Sequence, residues 1–394
     1  MIARTRRVLI AGASIAGPVL AYWLSRAGYQ VTIVELHPEF RQGGHGVDVR
    51  EQAIDVATRM GLMDAVRGAV TGLIGTNYVD RGNRILAKMD VQALQKAGNG
   101  AAEINRSSLA RMLYETTRND VAYIFGDTIR AIDQDAGGVD VCFERGPPHR
   151  FDLVIGADGI HSNVRKLAFG TEEQFLKFKH HYFAAASGGT LRAEMCRTTI
   201  YSEPGRAVLI QRPLDGRSMM FFVFRREQPL SYDHRDLRQQ RRLIREAFAN
   251  AEWEAPGLLD QADLDPNFYF DTVSQVVMQN WSRGRVAFVG DAAYCASPFS
   301  GAGALLAMVG AYRLAGELSA AREDHVQAFA NYEAGMRTLV AAKQGHLFTG
   351  LMLPKSRLGI SIRNTLLRSP MSKLAFGLQP IKIEPLLTYE FKSN

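Results

Sequence analysis

The sequence predicts an α/β fold, and three observations carry that expectation. A short β-branched run from Val8 to Ala11 enters a glycine-bearing turn. A helical pattern follows through Arg26, and Gln30–Glu35 reads as a second buried strand. Two more short apolar runs, ending at Gly156 and at Gly290, are each followed closely by an Asp. Strand-like patches such as Met219–Phe224, more fitting for core than for a substrate box, lie between them. With 394 residues and about 150 residues per domain, two to three domains are expected. A content of 46% hydrophobic and 22% charged residues excludes a disordered chain, a collagen-like repeat and a coiled coil.

Arg4, Arg6 and Arg7 ahead of the apolar run Val8–Leu24 trace the outline of a secretory signal. Gly12, Ser14, Gly17 and Pro18 interrupt that run, no small-residue cleavage site follows, and a second strand comes next. No targeting signal and no membrane span is therefore expected. Cys142, Cys196 and Cys295 are odd in number and far apart. They give neither a disulfide framework nor a metal-binding pair, and they fit a reducing, cytoplasmic setting. The net charge of +7 is unevenly spread. Residues 334–383 hold no Asp or Glu but carry Arg337, Lys343, Lys355, Arg357, Arg363, Arg368, Lys373 and Lys382, so the remainder sums to 7 − 8 = −1. This segment reads as a solvated helical tail or a face near an anionic cofactor. Weak contact with an anionic membrane through 334–383 is the sharper alternative. No nucleic-acid fold signature accompanies the charge, so no nucleic-acid partner is expected.

Three glycine-bearing motifs carry the chemistry. In Ala11-Gly12-Ala13-Ser14-Ile15-Ala16-Gly17-Pro18, Gly12 permits a tight turn and Gly17 lets helix and strand pack closely. The helix N-terminus then offers free N–H groups to a pyrophosphate, as in a dinucleotide fingerprint. Ser14 replaces the second glycine and retains a hydroxyl donor. Glu35, eighteen residues past Gly17, is suited to both ribose hydroxyls and repels a 2′-phosphate, so the dinucleotide held here should not be NADP. In the second motif a strand ends at Gly156-Ala157-Asp158-Gly159, and Ser162 caps a short helix beginning near Asn163. In the third, Gly290-Asp291 is followed by Pro298-Phe299-Ser300-Gly301-Ala302-Gly303 and a helix to about Leu318. Its glycines let backbone approach a flat ring, and its helix N-terminus favours negative charge there. Taken alone, the first motif also fits chance or another α/β fold, Asp158-Gly159 a plain turn, Asp291 an Asx turn, and Gly301 and Gly303 loop flexibility.

Together, in this order and spacing, the motifs resemble the class A flavoprotein monooxygenases, the single-component aromatic-hydroxylase type, over about residues 7–320. Within that group the chain is most similar to the tetracycline-inactivating flavin monooxygenases and their polyketide-pathway relatives. The carriers are Phe270-Asp271, Trp281-Ser282-Arg283-Gly284-Arg285, Gly290-Asp291-Ala292-Ala293-Tyr294 and Leu306-Ala307-Met308-Val309-Gly310-Ala311-Tyr312. The resemblance implies a Rossmann-like FAD-binding domain (1–75, 100–175 and 270–335), with an inserted β-sheet substrate domain of α+β type (76–99 and 176–269). A C-terminal helical segment (336–394) should cap the site. It implies FAD along Gly12, Ser14, Ile15, Ala16, Gly17 and Glu35, with Asp48, Arg106, Gly290, Asp291, Pro298, Gly301, Ala302 and Gly303 around the rest. Arg41 is implied for NADPH (or NADH), and Asp158 and Gly159 for both cofactors. It implies an NAD(P)H-consuming monooxygenase that passes one atom of O2 through a flavin hydroperoxide to an aromatic or polycyclic, tetracycline- or polyketide-like molecule.

Two departures from the phenol-hydroxylase branch fit the tetracycline-type branch better. Tyr294 stands where His is common, and Val309-Gly310 where Glu-Asp is common. No residue is singled out as catalytic, because the cofactor carries the chemistry. Neither a Ser-His-Asp triad nor a metal is expected, and His180-His181 reads as a surface pair. The alternatives are another FAD oxidoreductase of the same fold (an isoprenoid reductase or halogenase), an NAD(P)-dependent dehydrogenase using only the first motif, or a non-catalytic flavin binder. Trp23, Trp253 and Trp281 do not form the halogenase W-x-W-x-I-P segment.

Overall fold

The computed structural model describes residues 5–39, 45–90, 100–322, 324–345, 353–369 and 385–391. The apolar residues of β1 (Arg7–Ala11) are buried on both faces, as in a strand covered by helices on either side. β2 (Gln30–Glu35) and β11 (Leu153–Gly156) pair with β1 in parallel. β7 (Ala122–Phe125) extends the sheet beyond β2, and β18 (Val286–Phe288) extends it in parallel beyond β11. β17 (Ser282–Arg283) closes that edge antiparallel, giving the order β17-β18-β11-β1-β2-β7. α1 (Ala16–Arg26) and α9 (Gly303–Ala320) pack together within the same core, and α10 (His325–Gly345) packs on α9. A Cβ at Gly17 would stand 1.9 Å from the Gly12 carbonyl oxygen, so only glycine lets α1 lie against the preceding turn.

The second sheet has the order β16-β12-β15-β14-β13-β4-β5. These strands are β16 (Tyr269–Val276), β12 (Leu176–Ser187), β15 (Met219–Arg225), β14 (Arg206–Arg212), β13 (Arg197–Glu203), β4 (Gly75–Val79) and β5 (Ile85–Asp90). Only the β13–β4 pairing is parallel. Period-2 alternation divides β15 between two clusters. Met220, Phe222 and Phe224 pack with residues of α6 (Leu237–Ala247) and α7 (Ala255–Leu264), while Phe221 and Val223 line the opposite face. Met219–Phe224 is thus core strand, as its sequence suggests. Two small sheets complete the chain: β3 (Gly46–Val49) with β6 (Ala102–Asn105), and β8 (Ile129–Asp135), β9 (Gly138–Phe143) and β10 (His149–Phe151). The other helices among the described residues are α2 (Gln52–Arg59), α3 (Met63–Gly68), α4 (Arg106–Thr117), α5 (Asn163–Phe169), α8 (Asp291–Tyr294) and α11 (Arg357–Arg368). Among the described residues no helix is long and apolar enough to cross a membrane.

Three expectations need correction. A division at residue 270 separates β16 from β12, although continuous antiparallel pairing joins them. A division at 335/336 falls inside α10. His180-His181 is not a surface pair. An irregularity in β12 between Phe178 and His181 leaves His180 exposed at φ 59° and buries His181 to 3% exposure.

The two departures at Tyr294 and Gly310 are one feature in space. The Tyr294 hydroxyl lies 2.8 Å from that of Tyr332, which donates to the Phe288 carbonyl at 3.0 Å. A Cβ at Gly310 would stand 1.9 Å from the Tyr294 hydroxyl oxygen. Gly310→Ala should therefore lower stability by about 1–3 kcal/mol through overpacking. Tyr294→Phe, which removes the obstructing oxygen, should recover part of that loss in the double variant. Thermal denaturation of both single variants and the double checks this, and simple additivity would refute the shared space.

Candidate active site

Strand register determines where the motifs meet. Ala11 stands beside Val34 on one side and Gly156 on the other, and Gly156 stands beside Phe288. The loops are locked where they leave the strands. Gly12 N donates to the Val34 carbonyl at 2.8 Å, Ala157 N to Ala11 at 2.8 Å, and Val289 N to Gly156 at 2.9 Å. Gly12–Gly17, Glu35, Asp158-Gly159 and Gly290-Asp291 thus gather at the carboxyl ends of parallel strands, where crevices of α/β sheets form.

The first motif is built to receive an anion. α1 begins behind Ile15 with no side-chain cap, leaving first-turn N–H groups for a ligand. Glu35 braces the loop, because its carboxylate accepts from Ala13 N and from His37 N, each at 2.9 Å. Arg106, the exposed first residue of α4, donates to Ser14 Oγ from Nε at 3.2 Å and Nη2 at 3.0 Å. Asn105 caps that helix by accepting from Ser107 N at 3.0 Å.

The other motifs close around it. Gly290 adopts φ 66°, and a Cβ there would lie 3.1 Å from Ala16 Cβ, so the third motif touches the start of α1. Asp291 opens α8. Pro298–Ser300 forms a 3-10 turn capped by Ser297, Gly301 is left-handed, and α9 starts at Gly303 behind Ala302 with no side-chain cap. Gly301 abuts β3, since a Cβ there would lie 3.1 Å from Asp48 Oδ2. Arg50 Nη2 donates to the Ser300 carbonyl at 3.2 Å. Asp158 is engaged locally, accepting from Ser162 Oγ at 2.5 Å and Val164 N at 3.1 Å, and Gly159 takes φ 85° in the turn. Ser162 caps α5 through Arg165 N, as the sequence suggests. Buried Arg165 then donates to the Ala292 carbonyl at 2.9 Å and to Ile160 at 2.6 Å, tying the second motif to the third. Arg41 lies outside the described residues.

The carboxylates of the cleft lie deep in the protein. Burial raises the Asp158 and Asp291 pKa values, and the Arg106 charge opposes the shift at Asp291. Two groups here went unnoticed in the sequence. Glu103 stands opposite Asp48 in the β3–β6 register, and burial together with that like charge pushes its pKa to about 7. Burial and then Arg106 lower His45 to about 4. Only the pairing of two strands distant in sequence reveals the Asp48–Glu103 couple. A shallow recess lies beside Gly46 and Asn105, facing Gln211 and Met219 of the second sheet and Arg217 in the turn between them.

A second polar cluster staples the two sheets. His161 follows the Asp158-Gly159 turn, and Asp271 lies on β16. His161 Nε2 lies 3.0 Å from both Asp271 carboxylate oxygens, and Nδ1 lies 2.9 and 3.0 Å from those of Glu172. Tyr269 donates to Asp271 at 2.5 Å, and the His234 ring lies 4.0 Å from that of His161. Burial by itself would lower the His161 pKa, but the two carboxylates outweigh it and raise it to about 10. His161, Glu172 and His234 place donor atoms within 4.8 Å of one another, a spacing a metal could bridge, yet both His161 nitrogens already face carboxylates. The group is an ion-pair staple.

Residues 5–342 match the model of the FAD binding domain family. An uncharacterized protein of Mycobacterium tuberculosis is 41% identical over 345 residues, covering 86% of this chain and 92% of that one. A flavin-dependent monooxygenase of Legionella longbeachae is 36% identical over 342 residues, covering 86% and 87%. The crystal structure of tetracycline destructase Tet(51) superposes with a TM-score of 0.84 at 32% identity, over 98% of this chain and all of that one. The chain belongs to the FAD binding domain family, as an FAD-dependent monooxygenase. The cleft fits that cofactor: two uncapped helix starts and an exposed guanidinium on Ser14 supply donors for phosphates, and the close-packed glycines let the backbone approach a ligand.

Two pH dependences follow. Glu103 binds its proton more tightly when folded, so its stability penalty grows as pH rises from about 4.5 towards 7. Glu103→Gln should raise stability by about 2 kcal/mol at pH 8 and change little at pH 4, read from denaturation midpoints. His161 has a folded pKa of about 10 against an ordinary 6.5. Its contribution is complete below about 6.5 and is lost as pH rises through about 10. His161→Gln should cost about 1.5–3 kcal/mol at pH 6 and converge on the parent towards pH 10. A pH-independent deficit would refute the charged staple.

Proposed function

We propose that this monooxygenase takes reducing equivalents from NADPH or NADH and inserts one oxygen atom of O2 into a polycyclic or aromatic small molecule of tetracycline or polyketide type. The observation that carries the reading is the convergence of Arg106, Ser14, Asp291, Asp48 and the Gly301 loop on one cleft. The likeness to tetracycline destructase Tet(51) supports the substrate class. A dehydrogenase using only the first motif would leave the Gly290-Asp291 and Pro298–Gly303 blocks without a purpose.

In this reading the N–H groups at Ile15, Ala16 and Gly17 hold the pyrophosphate, with Gly12 making the turn. Glu35 keeps lone pairs for ribose hydroxyls beyond those used by Ala13 and His37. Arg106 serves the phosphate and ribityl region, and Asp291 accepts from ribityl hydroxyls. Asp48, Pro298, Gly301, Ala302 and Gly303 lie along the flat ring. FAD, when bound, supplies two-electron chemistry and the activation of O2. The chain orients the substrate and excludes water. We assign the substrate wall to the part of the second sheet's inner face around Phe183 and Tyr269, where Phe299 packs against Phe183. The nicotinamide cofactor then binds transiently near Asp158 and Gly159, with Arg41 as its cationic partner.

The test is a visible spectrum of the purified protein, followed by NADPH or NADH under nitrogen and then air, with and without polycyclic phenols and tetracyclines. A flavin band that bleaches and returns, faster with substrate, is expected. A colourless protein that ignores added FAD overturns the reading. Asp291→Ala should lose FAD on gel filtration, because each charge-assisted hydrogen bond removed is worth about 1.5–3 kcal/mol.

A further inference from the structure

Of the eight cations in residues 334–383, the fold engages three in specific contacts and buries two of them. Arg337 is bound to Glu333 and to the carbonyls of Met278 and Gln279. Lys343 is buried, with both Glu51 carboxylate oxygens at 2.7 Å. Arg363 is buried with its guanidinium 4.4 Å from the Tyr78 ring centroid. Lys373 and Lys382 lie outside the described residues. Lys355, Arg357 and Arg368 stay exposed, and they bracket α11.

That helix is amphipathic in a reversed sense. Its polar residues Arg363 and Asn364, with Leu367, are buried on the side that packs against β5 and β13. Its solvent side carries Leu358, Ile362 and Leu366, which are 70%, 52% and 44% exposed. Spacing of four places them in one stripe. Arg368 also donates to the Leu86 carbonyl on edge strand β5, which fixes the end of the helix against that strand. The helix contains no acidic residue.

We infer that the outer face of α11 docks on the surface of an anionic phospholipid bilayer. The helix lies flat, Leu358, Ile362 and Leu366 enter the headgroup boundary, and Lys355, Arg357 and Arg368 meet lipid phosphates. Charge complementarity selects this occupant over a second copy of the chain. Two such faces together would oppose six cations, and α11 itself offers no carboxylate to pair them, with Glu227 near Lys355 offsetting that charge on each copy.

The experiment is co-sedimentation of the full-length FAD-loaded protein with vesicles. Phosphatidylcholine alone is compared with phosphatidylcholine containing about 30% phosphatidylglycerol, at low and high salt. Expected is binding to the anionic vesicles that salt abolishes. It should weaken at least about tenfold in Leu358→Ser/Ile362→Ser/Leu366→Ser and in Lys355→Gln/Arg357→Gln. Circular dichroism and FAD content, unchanged in both variants, separate loss of docking from loss of fold. No sedimentation at low salt, equal binding to neutral vesicles, or undiminished binding by the serine variant each overturns the proposal. So does a parent dimer that the serine variant converts to monomer without any vesicle binding.

Discussion

The parallel pairing of β1 with β2 and β11, and of β11 with β18, is the constraint on which the rest depends. It brings four chain segments, up to 280 residues apart by number, to one edge of one sheet, and it does so with their carboxyl ends aligned. Every strand there is buried on both faces, so a slip in register would expose aliphatic side chains and break the three backbone hydrogen bonds that fix the loops. The cleft inherits its precision from that sheet. Arg106 reaches Ser14 only because β6, paired with β3, delivers the start of α4 beside the first loop.

Around this frame the molecule buries titratable groups. The cleft concentrates Asp48, Glu103, Asp158 and Asp291, whose pKa values burial raises, against few cations. Such a site is costly when empty of partners and suited to a ligand that brings hydroxyl donors, while a phosphate is served by the uncapped start of α1 and by Arg106. The His161 staple answers a different demand. It fastens the Asp158-Gly159 turn to β16 of the second sheet, so the two sheets are held in one geometry. Arg165 makes a comparable tie from α5 to α8.

Tyr294 and Gly310 show how a sequence comparison can divide what space unites. Each stands apart from the phenol-hydroxylase pattern at its own position. Only the packing of α8 against α9 shows that the absent Cβ of Gly310 is the room taken by the Tyr294 hydroxyl. The same holds for the basic C-terminal segment. Its charge is plain in the chain, but the division into buried Lys343 and Arg363 and exposed Lys355, Arg357 and Arg368 follows from what α10 and α11 pack against.

The sequence by itself determined the α/β class, β1, α1 and β2, the Ser162 cap, the third-motif helix and the family. These rest on local physics: hydrophobic period, turn chemistry and motif order act over a few residues and need no partner. Tertiary structure alone decided the membership of β16 in the second sheet, the burial of His181, the facing of Asp48 by Glu103, and the His161–Asp271–Glu172 staple. Each of these depends on contacts between segments distant in the chain, which carry no local signature. Their energies come from burial and charge, and both are set by neighbours that only the fold supplies.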